Sequence, residues 1–114
     1  MLTKRIAVVP ANGTWVVRAG GAVIGESERA LELVLTETSS LIFFPREDVG
    51  MAFLEPSTHV AQTEGIGQAS YFGIVTRSTT IKNAAWSYPE PSEGAMKLAG
   101  HIAFDSERVT VEQV

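Results

Sequence analysis

Apolar and polar residues alternate over runs of only a few positions, and glycine, proline or an Asn-Gly pair cuts off each run. A period of two places alternate side chains on opposite faces of an extended strand, so this punctuation predicts short strands and little helix. Ile6–Val9 opens the first strand, ended by Pro10 and Asn12-Gly13. Asn-Gly is the favoured core of a type I′ turn, because both central residues take positive φ. It predicts a hairpin to a second strand over Thr14–Arg18. Gly20-Gly21 is a second turn, leading to Ala22–Ile24. Ser27–Glu37 supports two readings. Ser27 is a good helix cap, but Leu31, Leu33 and Leu35 alternate with Glu32, Val34 and Thr36, which favours strand over helix.

The rest of the chain follows the same pattern. Leu41–Phe44 is a short buried strand, and Pro45–Val49 is one helical turn with acids near its start. Met51–Leu54 reads as another strand and the polar stretch Pro56–Gly67 as loop. Ala69–Val75 is a strand bulged at Gly73. Ile81–Tyr88 is a strand with Ile81, Asn83, Ala85 and Ser87 on one face and Lys82, Ala84, Trp86 and Tyr88 on the other. Pro89–Ser92 is a rigid loop, and Met96–Ala99 a turn of helix. His101–Phe104 and Val109–Val111 close the chain as a hairpin. The sum is a mainly β, single compact domain over residues 1–114, barrel-like or a strongly folded antiparallel sheet, with one or two short helical turns. Trp15, Leu33, Phe43, Phe72, Ile74 and Trp86 are the expected core.

Composition excludes several classes. The 114 residues are 45% hydrophobic and 19% charged, with a net charge of -4, which suits one folded domain and not a disordered chain. No cysteine is present, so disulfides, thiol catalysis and thiolate metal sites are out. An acidic balance argues against nucleic-acid and anionic-membrane partners. Leu41–Phe44 is far short of the ~20 residues a spanning helix needs. Lys4 and Arg5 precede too short an apolar run for a signal peptide. Met1 gives the expectation of a natural start, and the cytoplasm is the expected location.

Metal ligation is not expected, since His59 and His101 stand far apart with no third ligand at a metal spacing. Ser70 and Ser87 lack a nucleophile elbow. Gly65-Ile66-Gly67 leads into a strand rather than a helix N-terminus, so no phosphate-cradling loop and no cofactor is called for. The richest set is aromatic plus charged. Trp86 and Tyr88 share a strand face, Tyr71 lies on another strand, and Arg46 and Asp48 sit on a turn at a strand end. Glu37 ends a strand. These six residues on one concave face would hold an anionic or aromatic small molecule by stacking and hydrogen bonding. The plainer reading makes the aromatics core and lets Arg46 and Asp48 pair with each other. An enzyme on a nucleotide-like substrate, with Arg46 stabilising negative charge and Asp48 or Glu37 as acid–base, is the first alternative. The second is a non-catalytic interaction module that pairs through an exposed strand edge, with another protein or with its own copy as a homodimer.

Several strings occur in order: Glu26-Ser27-Glu28-Arg29-Ala30-Leu31, Phe44-Pro45-Arg46-Glu47-Asp48-Val49, Gly67-Gln68-Ala69-Ser70-Tyr71, Ala84-Ala85-Trp86-Ser87-Tyr88-Pro89-Glu90-Pro91 and Gly100-His101-Ile102-Ala103-Phe104. Together, from about Ile6 to Val111, they resemble the bacterial and fungal family called domain of unknown function 427. The resemblance implies a compact, mainly β domain. The family's label carries nucleotidyl transfer but implies no chemistry at any given residue. Members often have Cys-Pro-x-Lys-Gly ahead of Ala-Ser-Tyr. This chain has Thr63-Glu64-Gly65-Ile66-Gly67 there, without the thiol or the lysine.

Overall fold

Among the described residues the alternating runs build ten strands in two antiparallel sheets. The computed structural model describes residues 6–114; Lys4 and Arg5, read above for targeting, lie outside the described residues. The strands are β1 Ala7–Pro10, β2 Trp15–Ala19, β3 Ala22–Ser27, β4 Leu31–Thr36, β5 Ser39–Pro45, β6 Leu54–Thr63, β7 Gly67–Val75, β8 Thr80–Ser87, β9 His101–Phe104 and β10 Thr110–Gln113. Seven form one sheet in the order β1-β4-β5-β9-β8-β7-β6, and three form a second, β10-β2-β3. The fold is strongly folded but is not a closed barrel: β1 and β6 are the two edges of the large sheet.

Local chemistry explains the turns that were legible. Gly20 and Gly21 both have positive φ, 54° and 80°, and close a two-residue hairpin between β2 and β3. Pro45 ends β5, and Arg46–Asp48 forms one 3₁₀ turn. Ser27–Glu37 resolves as the end of β3 and the strand β4.

Four expectations are corrected. Asn12-Gly13 does not close a hairpin. Only Gly13 of the pair has positive φ, and β1 pairs with β4 while β2 pairs with β3 and β10. The pair is instead the corner where the chain leaves the large sheet for the small one, and its Asn12 carbonyl accepts from Trp15 Nε1 at 3.1 Å. Pro56–Gly67 is mostly strand, not loop. Its polarity and its proline suit β6, which lies at a sheet edge where one row of backbone groups is open. Met51–Phe53 is a 3₁₀ turn rather than part of a strand. His101–Phe104 and the chain's last strand belong to different sheets, so they form no hairpin.

The large sheet is apolar on both faces. On one face the register aligns Leu31, Phe43, Ala103, Trp86 and Tyr71 across five strands. On the other, Phe104, Ala85 and Phe72 align, and Phe44 pairs with Ile102. The small sheet covers the second face: Val17, Ala19 and Ile24 pack with Phe44, Phe72, Ile74, Ile102 and Phe104. The first face has a partial cover. Ala95 and Leu98 of the 3₁₀ segment Glu93–Leu98, with Ile66 from the β6–β7 turn, pack on Leu33, Phe43, Ala103 and Tyr88. Of the expected core, Leu33, Phe43, Phe72 and Ile74 are buried, whereas Trp15 and Trp86 are half-buried.

Phe43 is fully buried. Phe43→Ala is expected to cost about 3–5 kcal/mol, measured as a fall in the urea midpoint. Gly13 has φ of 88°, and a side chain there would also strike Gln113. Gly13→Val is expected to destabilise by about 1 kcal/mol or more in the same measurement.

Candidate functional site

Tyr71, Trp86 and Tyr88 occupy the partly covered face. Tyr71 and Trp86 are direct cross-strand partners, and their ring centroids lie 5.8 Å apart. Tyr88 is buried beyond the end of β8, 6.1 Å from the Phe43 ring, and its hydroxyl shares a 3.0 Å hydrogen bond with Thr63 Oγ1. It is therefore core. Tyr71 and Trp86 remain half-exposed, and the row extends to a residue the sequence reading had placed in a loop. His59 of β6 meets the Tyr71 ring edge-on at 4.6 Å. Burial, with Tyr88 and Asp105 nearby, raises the Tyr71 pKa, so its hydroxyl keeps its proton at neutral pH.

Both strands beside β7 bulge around its centre. On β6, Pro56 pairs with Phe72 and Val60 with Ser70, leaving residues 57–59 opposite Tyr71. On β8, Ile81 pairs with Ile74 and Ala85 with Phe72, leaving residues 82–84 opposite Gly73. The backbone amide of His59 donates to Ser57 Oγ at 3.0 Å, which shapes the first bulge. In the second, Asn83 adopts φ of 53°, the one non-glycine with positive φ among the described residues. Arg108 holds it there, donating at 2.7 Å to the carbonyls of Lys82 and Asn83 while its Nε donates to Asp105. That last bond is the main reason the Asp105 carboxyl is held below its ordinary pKa.

Gly73 lies two residues beyond Tyr71 and so on the same face. The missing side chain leaves a groove of about 230 Å³, lined by Glu55, Ser57, Gly73, Val75, Lys82 and Asn83 among others. A side chain at 73 would meet the Ile81 carbonyl at 3.5 Å, an ordinary contact. The ring row and the groove are thus neighbours on one face, built from β6, β7 and β8.

The charged members of the expected set lie elsewhere. The Arg46 guanidinium sits 5.8 Å over the Phe72 ring, which packs on the opposite face of β7 from Tyr71. Glu37 is exposed in the two-residue turn between β4 and β5. Asp48 pairs with Arg29, not with Arg46. Ser27 Oγ donates to Asp48 Oδ2 at 2.6 Å and accepts from the Arg29 amide at 2.9 Å, and Arg29 Nη2 reaches Asp48 and Glu47 at 3.2 Å. Two of the sequence strings therefore meet here, beside an open polar cavity of about 430 Å³. The Ser27 bond is the largest of the causes that lower the Asp48 pKa, and the bond to Asp48 is the largest that raises that of Arg29. These groups satisfy one another and brace β3 against the turn after β5, so a ligand would have to break the ion pair. Among the described residues no three His, Asp or Glu side chains cluster as a metal site would need.

A depressed carboxyl pKa stabilises the fold above the unfolded value of about 3.9 and loses that contribution as pH falls through the folded value. Ser27→Ala is expected to cost about 1–2 kcal/mol at pH 7. Its deficit against the unaltered protein should shrink in urea titrations run below pH 4.

No helix of the described residues is long and apolar enough to cross a membrane. No curated protein matches the chain. The family model NTP_transf_9, described as Domain of unknown function (DUF427), matches residues 7–114. That match spans nearly the whole chain, and the strings that resemble the family include the Ser27–Asp48 contact and the Tyr71–Trp86 pair: the protein belongs to the DUF427 family.

Proposed function

We propose that this protein is a binding module for a small molecule carrying a flat aromatic ring and an anionic head. The observation that carries the reading is the row of His59, Tyr71 and Trp86 rings on the same sheet face as the groove beside Gly73 and Lys82, with Tyr71 two residues from Gly73 along β7. A ring laid on this row gains stacking of about 0.5–1.5 kcal/mol per contact beyond the area it buries. Lys82 gives the head a positive partner at the groove wall. The cation is thus Lys82 rather than Arg46, which lies against the other face. Chemistry on the ligand is not part of the proposal. The ring of His101 hydrogen-bonds the Ala99 carbonyl and that of His59 packs on Tyr71. Neither is posed as the base of a nucleophile.

The chain has two tryptophans, so a Trp15→Phe background isolates Trp86 fluorescence. Titration with aromatic carboxylates and phosphates is expected to shift that emission saturably. Gly73→Val fills the groove without backbone strain and should weaken binding more than tenfold, while Arg46→Ala leaves it unchanged. Absence of a response to every ring-bearing carboxylate or phosphate, aromatic amino acids included, at millimolar concentration would refute the proposal.

A further inference from the structure

The groove beside Gly73 presents two opposite charges, which narrows the ligand. Glu55 is the direct cross-strand partner of Gly73 on one side. On the other side, the Lys82 Cα lies 3.8 Å from where a Gly73 Cβ would stand. Both side chains line the groove. Glu55 and Lys82 thus flank Gly73, a position on this face that has no side chain, two strand spacings or about 9.5 Å apart at the backbone. Neither takes part in an ion pair among the described residues, whose pairs are made by Arg18, Arg29 and Arg108.

We infer that the ligand head is a zwitterion, with its ammonium at Glu55 and its carboxylate at Lys82, so that the ligand class is an aromatic α-amino acid. The inference rests on the ring-binding reading above and adds the second charge. A purely anionic head in this groove would face the Glu55 carboxylate at close range, and like charges brought together oppose binding. A zwitterion pairs both walls at once. Size agrees. About 230 Å³ is below the ~300–1,000 Å³ of a site that encloses a drug-sized molecule, so the groove takes a head and not a whole ligand. The ring must then lie outside, and Tyr71 stands one pleat repeat along β7, about 6.6 Å from Gly73. A single methylene between head and ring spans such a step. Ser57, Thr80 and Asn83 border the groove with further hydroxyl and carboxamide groups for the head.

The test uses the full chain labelled with ¹⁵N and four probes: tryptophan, indole-3-propionate, tryptamine and indole. Tryptophan is expected to shift the amides around Gly73 and to bind at least about tenfold more tightly than any of the other three, as two charged hydrogen bonds acting together allow. Lys82→Gln should weaken tryptophan and indole-3-propionate but not tryptamine. Glu55→Gln should weaken tryptophan and tryptamine but not indole-3-propionate. Equal binding of the four probes, or substitutions that fail to discriminate among them, would overturn the zwitterion and leave the ring site standing. Shifts from an aromatic phosphate but from none of the four would do the same. No shift from any ring-bearing compound overturns both readings.

Discussion

A seven-stranded sheet with two apolar faces needs two covers, and this chain supplies unequal ones. The small sheet seals one face through Val17 and Ile24 against Phe44, Ile74 and Ile102. That burial is the dominant favourable term for the domain, and it fixes which way every alternating residue of the large sheet must point. Among the described residues the opposite face is covered mainly by the short Glu93–Leu98 segment and Ile66, with Ile6 packed alongside. Leu33, Phe43 and Tyr88 fall under this cover, while Tyr71 and Trp86 extend past it. Among the described residues the cover stops short of these rings, and they sit on a sheet rather than on a loop.

Much of this was legible in the sequence, for stated physical reasons. The period of two placed Trp86 and Tyr88 on one face, and Gly20-Gly21 announced a hairpin because only glycine takes two successive positive φ angles freely. What failed was long-range. Turn chemistry at Asn12-Gly13 looks the same whether the next strand folds back or crosses to another sheet, and the choice is made by where Val8 and Val9 find partners in β4. β6 was read as loop because an edge strand exposed to water loses the apolar half of the pattern. That error hid His59. Lys82 was placed on its proper face, but nothing in the sequence tied it to a groove, since the groove depends on a bulge in β8 that falls opposite Gly73. Arg46 looked like the natural cation because it follows a strand end, yet the 3₁₀ turn carries it to the Phe72 side.

Charge in this domain performs two different tasks. Asp48, Ser27 and Arg29 satisfy one another and hold β3 to the segment after β5, where Gly25 also bridges Val49. Arg108 uses its fork to hold a strained backbone, since both carbonyls it caps belong to the β8 bulge. Glu55 and Lys82, by contrast, hold nothing in place among the described residues.

The bulge in β6 has a bearing on how the protein behaves at high concentration. A flat ten-residue strand at the rim of a sheet is a template on which further chains can add, and long open rims of this kind seed fibres. Here Pro56 contributes no donor to the row, and residues 57–59 interrupt its spacing. Exposed Val60 would otherwise sit on a continuous adhesive edge. The irregularity that lifts His59 toward Tyr71 also denies an incoming strand a regular ladder, so β6 is a poor template for edge-to-edge growth into fibrils.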